Sequence, residues 1–386
     1  MYKQHKKQHF DKSDDPFINL KHVFITYGYH KLVKYYSGFA FIFHTCSMVL
    51  EIHYMIKHFS MDLVTKYGGA IMLMNYFLIS QIVTVVIEKL YLPELVKIRD
   101  LVFWKIDSFG SSVKEQILND SIKMKRKLYF VWILFAAFGI ILLPICGDFD
   151  ESHLFPKVYE TYFGTFGTIF YYFYVSSFPF VLYTSLRIPV FALYGVLQLH
   201  VQIILLNHKI RQLSHGLVDI DNVRYQERVS QNLCLCFSQH VALKNWLSKC
   251  LKFMKNVMPV YFCLAIICIV IIMFFILNNL VLNTSTHMKL RFFICGICSS
   301  VVLYIFSEAG QLLSDDTGGV FQVLMECPWY CWNTKNRKIY TMFLLSAVKP
   351  LTVDWGGLIL NYNFGNHVFR TCSSYALILY KLRKAK

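Results

Sequence analysis

Long apolar stretches constrain this chain more than any other feature of its sequence. Segments of membrane-spanning length recur along it, and about 20 such residues in a helix cross the roughly 30 Å hydrocarbon core of a bilayer. Only 16% of the 386 residues are charged, against about 25% in soluble domains. The sequence therefore predicts an all-α polytopic membrane protein.

The apolar segments predict seven transmembrane helices, of which the fourth is unusually long. Between Thr161 and Leu206 the only charged residue is Arg187, so this run fits either two spans or one kinked helix that continues past the membrane. The predicted spans cover 33–56, 67–87, 128–146, a segment beginning near 163, 257–282, 291–309 and 351–380.

The basic residues choose between these interpretations, because Lys and Arg concentrate on the cytoplasmic side of membrane proteins. With one span in the long run and a cytoplasmic N-terminus, 27 of the 39 Lys and Arg residues fall in internal segments and nine in external ones. Two spans in the run would reverse all later segments and give 21 internal against 15 external. We therefore predict seven spans, a cytoplasmic N-terminus and an extracellular C-terminus.

This orientation and the missing motifs exclude several protein classes. G-protein-coupled receptors place the N-terminus outside, and their DRY-type and NPxxY-type motifs are absent here. Phosphate-binding glycine loops, HExxH and GxSxG are absent too, so we expect no enzyme, cofactor or metal. The formal charge of +16 is explained by basic internal loops, so no nucleic-acid partner is expected.

The C-terminal third carries short motifs in a fixed order. Gly310-Gln311 follows the sixth span, Cys327-Pro-Trp-Tyr-Cys-Trp332 comes next, and a basic helix over Arg337–Lys349 precedes Pro350. The last span contains Ser373-Ser-Tyr-Ala-Leu-Ile-Leu379. This order resembles the C-terminal signature of insect odorant receptors, and span count, orientation and length extend the resemblance to the whole chain as architecture.

The resemblance implies a subunit of a ligand-gated, non-selective cation channel in the plasma membrane, with olfactory neuron dendrites as the expected location. In that family the seventh spans of four subunits line a central pore, and cytoplasmic helices form a shared anchor. The implied partners are a small volatile odorant, co-receptor subunits of a heterotetramer, and the lipid bilayer. This chain would be the ligand-specific subunit.

Domain boundaries follow from the spans and from the resemblance. Segments 88–127 and 207–256 mix apolar and basic residues at helical spacing, which predicts amphipathic helices projecting into the cytoplasm. The expected organisation is a cytoplasmic segment 1–32, helices one to four with the ligand pocket over 33–206, anchor helices over 207–256, helices five and six over 257–309, a second anchor segment over 310–350, and the pore-lining helix with a short extracellular tail over 351–386.

The resemblance places the pore gate on Ile378 and Leu382, near the outer end of the last span. A ring of apolar side chains closes a pore by dewetting, so these residue types suit a gate. Lys381 departs from the family, in which an uncharged polar residue is common. Four lysines facing one lumen would repel cations, whereas one such subunit among three co-receptors would be tolerated. The alternative is that Lys381 extends to the membrane interface.

Aromatic density suggests the ligand pocket. The fourth span holds a run of aromatic and small residues, and the outer half of the third span offers small residues beside large ones. Odorant sites need apolar walls with few polar contacts, although each of these residues alone is more often a packing residue. The candidate pocket residues are Tyr76, Ser80, Phe135, Ala136, Gly139, Leu143, Phe173, Tyr174, Ser177 and Tyr183.

Two other functions stay open at this point. A gustatory-type channel shares the fold and would conduct as a homotetramer when the chain is expressed alone. A transporter would show saturable substrate uptake without single-channel openings. The related gustatory receptors end in a TYxxxxxQF-type motif, whereas the matching run here begins at Ser374-Tyr375, which favours the odorant branch.

Overall fold

The computed structural model describes residues 15–22, 31–141, 153–214, 222–281, 286–355 and 358–384. The chain is almost entirely helical over these ranges. The helices are α1 (Ile18–Leu20), α2 (Lys31–Lys57), α3 (Met61–Val86), α4 (Leu92–Val102), α5 (Ser111–Ile141), α6 (Phe155–Phe163), α7 (Gly167–Arg211), α8 (Val223–Val281), α9 (Thr286–Met325), α10 (Thr334–Ala347) and α11 (Tyr362–Lys384). A two-residue antiparallel pairing of β1 (Asp354–Trp355) with β2 (Leu358–Ile359) precedes α11.

The long apolar run forms one continuous helix, α7, rather than two spans. Its 45 residues extend roughly 67 Å at 1.5 Å per residue, about twice the thickness of a hydrocarbon core. The one charged residue of the run, Arg187, is buried, and its Nη2 lies 3.6 Å from the carboxylate of Glu88. Because Glu88 sits in a π-helical turn that joins α3 to α4, the ion pair ties α7 to the junction of these two helices.

Five helical segments among the described residues are long and apolar enough to cross a membrane, against seven predicted spans. They are Tyr35–Lys57, Lys66–Ser108, Leu186–Arg211, Pro259–Asn278 and Lys289–Met325. The predicted third span falls in α5, whose description ends at Ile141 and whose first half is charged. The predicted seventh falls in α11, which carries polar residues along its length.

The last helix begins at Tyr362, well after the start predicted at 351. The described part of 351–361 forms the β1–β2 pairing and extended segments instead, because Pro350 interrupts helix formation. The side chain of Asn361 accepts a 2.9 Å hydrogen bond from the backbone N–H of Phe364. This cap fixes the first turn of α11.

The three longest helices, α7, α8 and α9, pack against one another. α3 packs against both α7 and α8, α5 packs against α7 and α9, and α11 packs against α8 and α9. α2 and α6 lie at the periphery, in contact with α7 and with each other. The elements that surround the centre of the bundle are therefore α3, α5, α8, α9 and α11.

The anchor region comprises the first half of α8, the end of α9, and α10. As predicted, α4 and the first half of α8 are helical, and α10 contacts both α8 and α9. The projection of these helices into the cytoplasm stays a prediction. Trp332 and Phe343 have no exposed surface, and the Tyr340 hydroxyl donates to the Leu324 carbonyl at 3.1 Å.

A glutamine connects the turn before α10 to α8. The Gln226 side chain accepts from the backbone N–H of Asn333 at 2.9 Å and donates to the Cys331 carbonyl at 3.1 Å. Its backbone carbonyl accepts from the buried Asn336 amide at 2.8 Å. The Cys-Pro-Trp-Tyr-Cys-Trp motif is thus a short turn held against α8 by hydrogen bonds to Gln226.

Candidate functional site

The centre of the bundle contains an apolar cavity of about 730 Å³, which we name the bundle cavity. This volume includes space that opens to the surroundings. The walls come from α3, α5, α8, α9 and α11. The lining residues are Leu73, Tyr76, Phe77, Phe135, Phe138, Tyr261, Phe262, Ala265, Ile266, Cys268, Ile269, Ile272, Cys295, Cys298, Ser299, Val302, Leu303, Phe306, Phe364 and Val368.

Two phenols provide the main polar feature of the bundle cavity. The hydroxyls of Tyr76 on α3 and Tyr261 on α8 hydrogen-bond to each other, and their ring centroids lie 5.3 Å apart. Ser299 adds a hydroxyl, which donates to the Cys295 carbonyl one turn earlier at 2.9 Å. A cavity with apolar walls and a few hydroxyls suits an uncharged molecule with at most one or two polar atoms.

A smaller cavity of about 570 Å³ adjoins the bundle cavity. The two cavities share four lining residues. At the far end of the smaller one lie His153 and Arg291, both buried. Gly69 forms part of its wall, and a Cβ there would lie 2.6 Å from the Phe275 ring, so close packing of α3 on α8 requires glycine at this point. The shared residues are Leu73, Phe138, Ile272 and Cys295.

The bundle cavity reaches α11 directly. Phe364 and Val368, in the first two turns of that helix, line its wall. The Phe364 ring packs edge-on against Phe262 with centroids 5.9 Å apart. A molecule in this cavity would therefore contact the helix that the sequence predicts to line the pore.

The structure brings together only part of the predicted ligand pocket. Tyr76 and Phe135 line the bundle cavity. Ser80 is fully buried one turn along α3 from Tyr76, and Gly139 is buried on α5. Ala136 is exposed.

The predicted pocket residue Leu143 lies outside the described residues. The assignment of a ligand to any of the predicted positions stays a prediction.

The aromatic residues of α7 pack against the peripheral helices instead of against α5. The Tyr174 ring stacks on Phe155 of α6 with centroids 3.8 Å apart. The Ser177 hydroxyl is 2.8 Å from Nε2 of His44 on α2. Phe173 is 49% exposed, and Tyr183 is partly buried beside Phe180. These residues form a packed cluster, because α2 and α6 supply aromatic partners that periodicity alone does not reveal.

Several cavity residues were missed by sequence reasoning. Tyr261 and Phe262 open the apolar part of α8, and Phe306 lies near the end of the apolar part of α9. Each is an aromatic residue in a span otherwise rich in aliphatic side chains. This contrast in the sequence could have singled out these residues. Their role as cavity residues could be recognised only from the packing of α8 against α9 and α11.

The predicted gate residues all lie on the exposed side of α11. Ile378 is 52% exposed and Leu382 is 62% exposed, and Lys381 between them is exposed as well. The opposite face packs on the bundle: Cys372 and Ala376 have no exposed surface. At 100° per residue the predicted gate therefore lies on the face turned away from α8.

A family model described as 7tm Odorant receptor matches residues 92–364. The solved structure of the insect olfactory receptor OR5 from Machilis hrabei is similar, with a TM-score of 0.69 and 10% sequence identity over 89% of this chain and 88% of that one.

The same receptor in complex with eugenol gives a TM-score of 0.57 and 8% identity over the same shares of both chains. A comparison with curated proteins returned no match. The matching family is one of receptors, not of enzymes. Because the family model covers most of its length, this chain belongs to the 7tm odorant receptor family.

Proposed function

We propose that this chain is an odorant-binding subunit of a ligand-gated, non-selective cation channel, and that a small volatile molecule binds in the bundle cavity. The main support for the proposal is that Phe364 and Val368, which line the cavity, are residues of α11. The structurally similar olfactory receptor from Machilis hrabei has been solved in complex with eugenol, which supports a small odorant as the class of ligand here.

The chemistry of the cavity bounds the affinity. A volatile of about ten heavy atoms buries roughly 250 Å² of apolar surface, worth about 6 kcal/mol at about 25 cal/mol/Å². This free energy corresponds to a dissociation constant of tens of micromolar. Opening of the channel then requires tighter binding to the open state than to the closed one. A ligand in contact with Phe364 gains that difference if α11 moves on opening.

We further propose that the channel is a heterotetramer with co-receptor subunits in the plasma membrane of olfactory neuron dendrites. In the proposed pore, Ile378 and Leu382 form the gate. Lys381 lies on the same exposed side of α11. Four such cations around one lumen would repel permeating ions, whereas a single one is tolerable. A gustatory-type homotetramer would have to conduct cations past a ring of four Lys381 side chains.

The experiment is an electrophysiological recording from cells that express the chain with and without the co-receptor, against a panel of volatiles. Ala265→Phe places a large ring inside the bundle cavity and is expected to reduce ligand-evoked current at least tenfold. Ala136→Phe is the matched control, because Ala136 is exposed on α5. Surface expression is measured for both variants.

The outcomes are distinct. Equal loss in both variants, or an unchanged dose response in Ala265→Phe, would contradict a ligand site in the bundle cavity. Current from the chain alone would contradict the obligate heterotetramer and favour the gustatory-type channel. Saturable uptake without channel openings would favour a transporter. With the chain alone, Lys381→Gln is expected to increase any residual cation current.

A further inference from the structure

A second apolar cavity lies where the bundle meets the anchor region, and we name it the junction cavity. It encloses about 870 Å³, including the part that opens to the surroundings. It shares no lining residue with the bundle cavity. Its walls are Leu92, Leu95, Val96 and Arg99 from α4, Phe191, Ala192, Tyr194, Gly195, Val196 and Gln198 from α7, Trp246, Leu247, Cys250 and Leu251 from α8, Ala309, Gly310 and Leu313 from α9, and Val353 and Leu360 beside the β1–β2 pairing.

The polar side chains of the junction cavity are already engaged by the protein. The Tyr194 hydroxyl and the Gln198 amide each donate to the buried carboxylate of Asp15 at 2.7 Å. The Trp246 indole N–H donates to the Leu95 carbonyl at 3.2 Å. What these residues present to the cavity is therefore mainly hydrocarbon and aromatic surface.

The one cationic residue of the wall is paired as well. The Arg99 guanidinium donates to the Asp100 carboxylate at 2.8 and 3.0 Å, and its side chain is only 8% exposed. A charged ligand would have to lose its hydration without gaining an uncommitted partner, which costs several kcal/mol. This chemistry selects against ions and against strongly polar molecules.

We propose that the junction cavity is a second ligand site, which takes a small uncharged apolar molecule such as a medium-chain alcohol or a terpene. Predominantly apolar walls with few polar groups are typical of sites for such molecules. The walls from α4, α7, α8 and α9 supply the apolar surface whose burial drives binding. The site goes beyond the odorant site proposed above.

The position of the cavity relative to α11 gives the second site a regulatory consequence. Leu360 lines the cavity and lies two residues before α11 begins. A Cβ at Gly310 would lie 2.0 Å from the Leu360 carbonyl oxygen, so α9 and this segment are in backbone contact. A molecule in the cavity contacts Leu360 and biases the position of α11. This consequence, unlike the binding itself, rests on the proposed pore role of α11.

A large side chain at position 195 can fill the junction cavity with little steric overlap. Gly195 lines the cavity in the middle of α7, and a Cβ at this position meets no heavy atom within 4 Å. Replacing a mid-helix glycine also favours the helix. Gly195→Phe is therefore expected to fold and to occupy the cavity. Gly38→Phe is the matched control, because Gly38 on α2 is exposed and equally unobstructed.

The test is photolabelling of the purified full chain with a diazirine analogue of octanol, followed by peptide mass spectrometry. A sterol-based detergent is used so that no detergent alkyl chain competes. We expect labelled peptides from both cavities, including the α8 peptide with Trp246 and Cys250. Excess octanol should suppress both. Gly195→Phe should reduce the label at the junction cavity at least tenfold and leave the bundle-cavity label intact, while Ala265→Phe should do the reverse.

Three results would overturn the second site. One is undiminished labelling of the Trp246 peptide in Gly195→Phe, since the label would then come from the outer surface. Another is labelling of the bundle cavity alone. The third is a junction cavity that stays closed to octanol because it retains a co-purified lipid chain. If the bundle cavity does not bind the odorant, the pattern is different: label appears at the junction cavity and none at the bundle cavity.

Discussion

The anchor region and the bundle use the same helices but pack in different ways. In the anchor region Trp332 and Phe343 are fully buried, and Gln226 joins α8 to the turn before α10 through several hydrogen bonds. The bundle instead holds a cavity of about 730 Å³ between side chains that are mostly apolar. Directional hydrogen bonds between a side chain and a turn specify one arrangement, whereas apolar side chains around a cavity can repack.

The difference separates two tasks within one chain. A region with dense packing keeps its geometry when neighbouring helices shift, since each displacement breaks contacts or hydrogen bonds. A bundle with empty space accepts ligands of several shapes at modest affinity. The contrast predicts that α8 and α9 resist rearrangement at the anchor end and rearrange more easily where they line the bundle cavity. Two substitutions and one chemical modification test it.

The largest effect is expected from Trp332→Ala. This change removes a fully buried ring that packs edge-on against Tyr340 with centroids 5.5 Å apart, and such cavities cost about 3–5 kcal/mol. The melting temperature measured by fluorescence-detected size exclusion should fall sharply. Trp329→Ala is the control, because Trp329 is 45% exposed. Equal melting temperatures for the two variants would contradict the dense packing of the anchor region.

A smaller effect is expected from Gly310→Ala, at the border between the two regions. The new Cβ overlaps the Leu360 carbonyl oxygen, so α9 and the segment before α11 must separate, at a cost of about 1–3 kcal/mol. Gly319→Ala on the same helix meets no atom within 4 Å. The melting temperature should fall only in Gly310→Ala. If both variants had the melting temperature of the native chain, the packing at the border between the two regions would rearrange as easily as that of the bundle.

The smallest effect concerns two cysteines of α8 that differ in burial. Burial raises the pKa of the Cys236 thiol to about 12, while Cys234 is exposed. The raised pKa lowers the thiolate fraction of Cys236 at neutral pH about a thousandfold. The thiolate that remains is more nucleophilic, so the net decrease in the rate of alkylation is about 30-fold. Alkylation by a maleimide, followed by mass spectrometry, should modify Cys234 first.

The pH dependence of that alkylation follows from the sign of the shift. Below the raised pKa the thiolate fraction of Cys236 increases tenfold for each pH unit, so its modification should accelerate steadily between pH 7 and 9. In denaturant the two cysteines should react alike. Equal rates in the native chain would show that solvent reaches the side of α8 that faces Lys209 and Cys327.

Much of the fold could be predicted from the sequence, because its strongest signals are local. The distribution of Lys and Arg between internal and external segments predicted one long helix in the run around Arg187, and the spacing of apolar residues over 207–256 predicted helical structure in the first half of α8. The start of the last helix could not be placed, since the segment 351–361 is as apolar as a span. The β1–β2 pairing and the Asn361 cap decide that boundary.

The site was harder to predict, because its walls depend on which helices are neighbours. Tyr76 and Phe135 were singled out and do line the bundle cavity, whereas Tyr174 and Ser177 pack against His44 and Phe155. Aromatic density indicates that a segment is packed but not what packs on it. The Gly310-Gln311 motif shows the reverse: a family signature whose physical reason, the approach of Leu360, appears only in three dimensions.

The buried carboxylate of Asp15 has a consequence for how the protein is made. Its partners Tyr194 and Gln198 are synthesised about 180 residues later, which at about 5–20 residues per second is a delay of roughly 10–35 seconds. The beginning of the chain must therefore wait, unpaired, until α7 has left the ribosome. The packing of the N-terminal segment against α7 is therefore completed only after the first four predicted spans have been synthesised.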